Sequence, residues 1–391
     1  MLPWGRPATK DDFEDREKIV SQILRDIKHN SILLTGPRRF GKSSIMIKVV
    51  EDLTKEGCPC FYFEIEGVNH PEEFIQSLIR TIVNCEYTGK KTKLFEILKK
   101  IPGIVIDNVE EISISEAKAK LKDKKAENWK HFNIAIKKLI DEIGTNVYIV
   151  IDEFPIAISN MDQEIAREFL NWLRALRHEN PNLKLLVGGS ISLDAVVKRI
   201  AGSAVINDFQ RITVEGFDEP SSIKIIKKTF SENGLLYDEK LGKKILECLG
   251  IPCIPYYLSF MLNEIKDARL IEGKEIDENL IQDVYEKKIL NVQARGYFDH
   301  FYERLKHVYP DPMQKAAKAI LKSIALADFI TIDLAYQLYQ KYAGDDDSDN
   351  FKFLIDELQH DFYIIIIREE RILKFHSKIV KDYWRVHHGN F

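Results

Sequence analysis

Eight residues near the N-terminus have the types and spacing of a phosphate-binding loop. Residues 36 to 43 read G-x-x-x-x-G-K-S. The glycines let the backbone turn so that consecutive N–H groups face inward, and a following helix adds the positive end of its dipole. Lys42 would reach the β- and γ-phosphates, and the Ser43 hydroxyl would ligate Mg²⁺. The predicted nucleotide contacts are Gly36, Pro37, Arg38, Arg39, Phe40, Gly41, Lys42, Ser43 and Ser44.

Two carboxylates form a second chemical landmark. Five apolar residues, 147 to 151, lead directly into Asp152 and Glu153. In a hydrolytic ATP site Asp152 would hold Mg²⁺, directly or through water, and Glu153 would polarise the attacking water. The plain alternative is a strand that ends in an acidic turn. The loop at Gly36 favours the hydrolytic interpretation, since the two motifs together are what ATP hydrolysis requires.

A third strand end carries a hydroxyl. The apolar run 183–187 stops at Gly188 and Gly189, and Ser190 follows. A polar side chain at this position of such a site lies near the γ-phosphate, which makes Ser190 a candidate catalytic residue. The alternative is an ordinary turn serine.

Apolar runs alternate with amphipathic stretches along the first half of the chain. This alternation is typical of an α/β fold, and the expected architecture is a five-stranded parallel sheet of the P-loop NTPase type. Residues 89–130 interrupt the pattern with a Lys- and Glu-rich segment, interpreted as an inserted hairpin. The predicted strands are 32–34, 61–65, 147–152, 183–187 and 212–214; the predicted helices are 11–28, 45–53, 72–85, 133–143, 164–178, 192–201 and 220–230.

Composition limits the class of protein. The 391 residues are 45% apolar and 30% charged, as in globular proteins of two or three domains. The net charge of -4 gives no global reason to bind nucleic acid. The five cysteines lack metal-ligand spacing and indicate reduced thiols. No signal core or membrane-length apolar stretch is present, so the expected location is the cytoplasm, without membrane association.

The three motifs together resemble the archaeal-type ATPases of the STAND division, a branch of the AAA+-related P-loop proteins. The resemblance implies that Arg16, in a Phe-x-x-Arg element beginning at Phe13, supports the nucleotide site. It also implies a phosphate-sensing role for Arg211, although Gln210 replaces the glycine that relatives carry before this arginine. A Gly-x-Pro element in the lid of these proteins packs its proline on adenine. Pro252 and Pro255 both fit that element, and the sequence does not choose between them.

The C-terminal pattern fits a winged helix. Helices are expected at 313–326, 332–342 and 351–360, then strands at 363–367 and 372–375, and a final helix from Ser377. His376 resembles the histidine of the Met-His-Asp element of distant STAND switches, which contacts the nucleotide diphosphate. The alternative role for His376 is a helix cap or a surface residue.

The resemblance implies an ATP-binding, slowly hydrolysing switch whose nucleotide state controls the arrangement of its domains. These are an ATPase core (1–218), a helical lid (219–295) and a winged helix (296–391). The implied cofactors are ATP or ADP and Mg²⁺, and the implied partner is a protein or a second copy that associates upon ATP binding. The main alternative is a DNA-binding ATPase resembling origin-recognition proteins. It is disfavoured because the third winged-helix helix begins after the acidic stretch 345–349 and contains Asp356 and Glu357. A small-molecule kinase is less compatible, since Asp-Glu at a strand end favours water as the nucleophile.

Overall fold

The computed structural model divides the chain into two units. The first comprises Arg16–Thr35 and Lys42–Thr213, and the second comprises Gly36–Gly41 and Val214–Phe391 together with the N-terminal residues up to Asp15. The structure describes residues 6–8, 13, 15–65, 67–84, 132–189 and 193–389. The predicted hairpin at 89–130 therefore lies outside the described residues, and the predicted domain limits at 218 and 295 stay predictions.

A five-stranded parallel sheet forms the centre of the first unit, as the alternation predicts. The strand order is β2-β3-β4-β1-β5, so β4 separates the strand before the phosphate loop from the strand that ends in Asp152. Every residue of β3 is buried, because helices cover both faces of such sheets. The strands are β1 Ile32–Thr35, β2 Cys60–Glu64, β3 Val147–Asp152, β4 Leu183–Gly188 and β5 Gln210–Thr213.

Amphipathic helices supply the remainder of this core. On α6 the ring of Phe169 stacks on Trp172 at 5.6 Å and meets Phe74 of α3 edge-on at 5.2 Å. Asp162 caps α6 by accepting from the N–H of Glu164 at 2.9 Å. The helices of this unit are α1 Glu17–Asp26, α2 Lys42–Lys55, α3 Pro71–Asn84, α4 Phe132–Ile143, α5 Phe154–Asn160, α6 Gln163–Glu179 and α7 Leu193–Ile200.

Among the predicted boundaries that differ, two concern candidate site residues. The last strand begins at Gln210, whose N–H donates to the carbonyl of Ser31 at 2.9 Å, so Arg211 lies inside β5 instead of preceding it. Only Ile212 is buried in this edge strand, which is why an apolar run did not mark its start. Helix α1 begins at Glu17, with Arg16 at its N-cap, and not at residue 11.

The second unit begins with helices and ends with a mixed set of elements. Its C-terminal half contains the helices and the two strands that the sequence predicts, at nearly the same limits. The sequence missed β6, a three-residue strand with a single buried side chain, Ile330. Strands β6 Phe329–Thr331, β7 Ile364–Ile367 and β8 Ile372–Phe375 form an antiparallel sheet in the order β6-β8-β7. The helices are α8 Glu219–Glu232, α9 Glu239–Leu249, α10 Pro255–Leu270, α11 Glu278–Val284, α12 Asp299–Val308, α13 Asp311–Ala327, α14 Ile332–Ala343, α15 Ser348–His360 and α16 Lys378–His388.

A stack of three aromatic rings joins elements on both sides of residue 295. Phe298 lies between Tyr257 of α10 and Tyr383 of α16, with ring centroids 4.4 Å apart on each side. All three side chains are buried. The helices after β5 and the C-terminal elements therefore share one apolar core.

In the part of the chain that the structure describes, no helix is both long and apolar enough to cross a membrane.

Candidate functional site

The backbone of the phosphate loop adopts the alternating conformation that binds anions. Gly36, Arg39 and Gly41 have φ values of 144°, 73° and 86°. Alternation of left- and right-handed residues turns successive N–H groups toward one point and forms an anion-binding concavity. Gly36 is required for a second reason, because a Cβ there would lie 2.7 Å from the carbonyl oxygen of Val214. The loop ends at Lys42, the first residue of α2, and this lysine is buried.

Asp152 is held at the end of β3 by two hydrogen bonds. Its Oδ2 accepts from the Tyr62 hydroxyl at 3.0 Å, and its Oδ1 accepts from the backbone N–H of Glu153 at 2.9 Å. Burial, together with the negative charge of Asp152, raises the pKa of Tyr62, which therefore stays a neutral donor. Each carboxylate oxygen keeps a further lone pair, so this buried, oriented group suits Mg²⁺, which prefers oxygen ligands.

Glu153 occupies a strained turn between β3 and α5. Its φ of 54° is left-handed, which is uncommon for a residue with a side chain and is found mainly at functional sites. Gly189 packs against this turn: a Cβ there would lie 2.5 Å from Pro155 Cδ and 3.3 Å from Glu153 Cα. The end of β4 therefore lies directly against the catalytic candidate.

Gly188, the last residue of β4, is packed just as closely as Gly189. A Cβ on Gly188 would lie 2.5 Å from Met46 Cε of α2 and 3.2 Å from the carbonyl oxygen of Leu34 in β1. The carboxyl ends of β1, β3 and β4 and the first turns of α2 thus meet at one edge of the sheet. Ligands of open α/β sheets bind at this edge.

Three other predicted residues are placed less decisively. Ser190 lies outside the described residues, so its role stays a prediction. Arg211 is exposed on the edge strand β5. It pairs with Leu33 of β1, two residues before the last pair of these strands, Thr35 and Thr213. Arg16 is half-buried at the start of α1.

The two candidate lid prolines both lie close to residues that adjoin the loop. A Cβ on Gly216 would lie 2.9 Å from Pro252 Cβ, and Phe217 exchanges two backbone hydrogen bonds of 2.8 Å with Cys253. This segment starts at Val214, whose carbonyl oxygen packs closely against Gly36 of the loop. Pro255 is the first residue of α10, beside Tyr256, so the choice between the prolines remains open.

His376 lies next to an aromatic chain that begins in the loop. Phe40 is buried, with its ring 6.4 Å from Phe362, and the Phe362 ring meets His376 edge-on at 5.3 Å. The backbone N–H of His376 donates a hydrogen bond to the carbonyl oxygen of Tyr363 at 2.9 Å. Burial lowers the pKa of His376, although the charge of Glu215 opposes the shift. Ser377 occupies the N-cap of α16, so His376 is not the helix cap.

The residues that contact Arg39 of the loop were not predicted from the sequence. The Arg39 guanidinium carbon lies 3.7 Å from the centroid of the Tyr256 ring and 5.9 Å from that of Tyr297. Both tyrosines are far from the loop in sequence, and nothing in the local pattern marks them. The sequence predicts Arg38 and Arg39 only as nucleotide contacts.

Comparison with protein families identifies the class. A family model described as an ATPase domain predominantly from Archaea matches residues 13–259. The chain belongs to this family. The match extends from the Phe-x-x-Arg element to α10, so it contains both carboxylates and the whole loop. This archaeal-type ATPase is accordingly a P-loop ATPase that binds ATP.

Individual relatives agree with the family. An uncharacterized ATP-binding protein of Methanocaldococcus jannaschii is 23% identical over 293 residues, which cover 73% of this chain and 77% of the relative. A second such protein of that organism is 22% identical over 341 residues, covering 82% and 91%.

Two solved structures share the fold. A Walker-type ATPase of Pyrococcus abyssi has a TM-score of 0.66 at 20% identity, over 98% of this chain and 100% of that one. The Aeropyrum pernix ORC2 protein, in ADPNP-ADP complexes, has a TM-score of 0.59 at 12% identity, over 96% and 92%.

Proposed function

We propose that this archaeal-type ATPase is a nucleotide-operated switch of the STAND type, which binds ATP, hydrolyses it slowly and changes the conformation of its C-terminal elements. The observation that carries the proposal is the aromatic chain from Phe40 through Phe362 to His376. It connects the loop that meets phosphate with elements more than 300 residues away in sequence. A change in loop conformation on nucleotide binding would displace Phe362, because packed cores rearrange between discrete states.

We propose the following roles for the site residues. Loop N–H groups and Lys42 bind the β- and γ-phosphates. The Ser43 hydroxyl and Asp152 hold Mg²⁺, which when bound neutralises charge on the phosphate oxygens. Glu153 orients the attacking water and accepts its proton. Ser190, Arg211 and His376 are proposed to sense the phosphates, and Arg16 and one of the two lid prolines to support the base.

We further propose that the elements from α13 to α16 form a winged helix that binds a protein partner or a second copy. Charge disfavours the alternative of duplex binding. Of the basic residues on the last helix, Lys378 pairs with Asp382, and Lys381 and Arg385 both pair with Asp328. Helix α15 carries exposed acidic residues that phosphates would repel.

Two variants test the enzymatic part. Lys42→Ala should lose ATP affinity, whereas Lys48→Ala, on the same helix, should not, because Lys48 pairs with Asp52 at 2.5 Å. Glu153→Gln should keep ATP affinity and lower turnover by about 10² to 10⁴. Equal affinity of wild type and Lys42→Ala, or normal turnover of Glu153→Gln, would remove the corresponding assignment.

A third measurement tests the switch itself. Hydrogen exchange of Glu153→Gln protein with ATP and with ADP should differ at residues 361–377. Phe362→Ala should abolish that difference while ATP affinity persists. Identical exchange in both nucleotides would contradict the switch and leave a plain ATPase.

A further inference from the structure

Arg39 has a backbone conformation that its side-chain contact explains. It is the non-glycine residue of the phosphate loop with a left-handed φ, 73°. The nearby glycines adopt positive φ without cost, but a residue with a Cβ does so only when its surroundings hold it there.

The contact that holds Arg39 is aromatic. Its guanidinium lies over the face of Tyr256, and its Nε and Nη1 atoms are buried without a hydrogen-bond partner. Arg39 also donates a side-chain hydrogen bond to the Tyr256 hydroxyl, so both the face and the hydroxyl of this ring stabilise the guanidinium. The charge of Arg39 in turn opposes the rise in the pKa of Tyr256 that burial causes.

Resting on the proposed function, we infer that the Arg39–Tyr256 stack is a latch that positions the phosphate loop and lets α10 set the affinity for ATP. Tyr256 is the second residue of α10, and its neighbour Tyr257 belongs to the buried aromatic stack with Phe298. A displacement of α10 would withdraw the ring from Arg39. The loop would then lose the left-handed residue that turns its N–H groups toward phosphate.

The competing explanation is that Arg39 binds a phosphate directly. The two differ in what they require of Tyr256 and of the planar guanidinium. A direct phosphate contact needs only a positive charge at position 39, whereas the latch needs a planar group against an aromatic face.

The test measures the affinity for ATP and, separately, KM and kcat, in four single variants and one double variant. Tyr256→Leu and Arg39→Lys should each weaken ATP binding by about tenfold, with KM raised and kcat retained. Tyr256→Phe keeps the ring face but loses the hydroxyl, so it should weaken ATP binding less than Tyr256→Leu does. Arg39→Gly removes the latch but adopts positive φ freely, and Arg39→Gly/Tyr256→Leu should bind no more weakly than Arg39→Gly alone.

Two results would overturn the latch: unchanged affinity in Tyr256→Leu, or additive losses in the double variant. Should Tyr256→Leu fail to fold, as judged by circular dichroism, Arg39→Lys decides, since retained affinity would then indicate a direct charge contact. Lys42→Ala is measured in parallel. If it loses ATP while Tyr256→Leu does not, the latch fails and the proposed function stands; if Lys42→Ala binds normally, the proposed function itself fails.

Discussion

Tyr62 donates a 3.0 Å hydrogen bond from its hydroxyl to Oδ2 of Asp152, across the neighbouring parallel strands β2 and β3. The donor is the last-but-two residue of β2, and the acceptor is the final residue of β3. The hydrogen bonds from the Tyr62 hydroxyl and the Glu153 backbone N–H together orient the Asp152 carboxylate without a bound metal. Outer partners of this kind tune metal affinity in other proteins.

Tyr62→Phe should therefore weaken Mg²⁺ use. With one of its two hydrogen bonds lost, Asp152 is less well oriented, and the Mg²⁺ concentration needed for half-maximal ATPase activity should rise by about tenfold or more. Tyr148→Phe is the matched control, because Tyr148 lies near the other end of β3 and its hydroxyl contacts Asn146. An unchanged Mg²⁺ dependence of Tyr62→Phe would show that the bond does not serve the metal.

Gly189→Ala should destabilise the protein by about 1 to 3 kcal/mol and reduce turnover. The new methyl group would overlap Pro155 and press on the Glu153 turn, since both are already in close contact with the glycine. Gly67→Ala is the control, because nothing lies within 4 Å of a Cβ built there. Urea unfolding gives the free energy, and equal values for both variants would contradict the close packing at Gly189.

Asp361→Asn should destabilise the fold by about 3 to 5 kcal/mol, because it removes the buried carboxylate charge that pairs with Arg304. Asp361 is 3% exposed and pairs with Arg304. Asp333→Asn breaks the exposed pair with Arg371 and should cost less than about 1 kcal/mol. Thermal unfolding of both variants compares them directly, and similar losses would mean that the buried charge is hydrated.

Acidification should destabilise the protein through His300. Burial, followed by the positive charges of Arg39 and Arg38, holds the pKa of His300 well below 6.5. The unfolded chain therefore binds the extra proton first, and the free energy of unfolding should fall as the pH decreases below about 6.5.

The variant His300→Gln should make that pH dependence shallower, because the buried imidazole that resists protonation is then absent. Urea titrations at several pH values measure the slope. A wild-type slope in His300→Gln would assign the acid sensitivity to other groups, among them His388, whose pKa burial lowers to about 4.

Much of the candidate site could be predicted from short, contiguous stretches of the sequence. The loop and the carboxylates of β3 are each contiguous, and the backbone geometry of a phosphate loop follows from its own residues. The start of the edge strand β5 and the whole of the short β6 escaped prediction, because each strand buries one side chain and so lacks an apolar run.

By itself, the sequence determined the phosphate loop, the paired carboxylates and the five-stranded α/β class, because each depends on residues that are neighbours in the chain. Only the tertiary structure decided which distant groups serve them. The bond from Tyr62 to Asp152 depends on β2 and β3 becoming neighbours, and the stack of Tyr256 on Arg39 joins residues 217 positions apart (256 less 39). Such contacts arise from packing, which brings together side chains that no spacing rule relates.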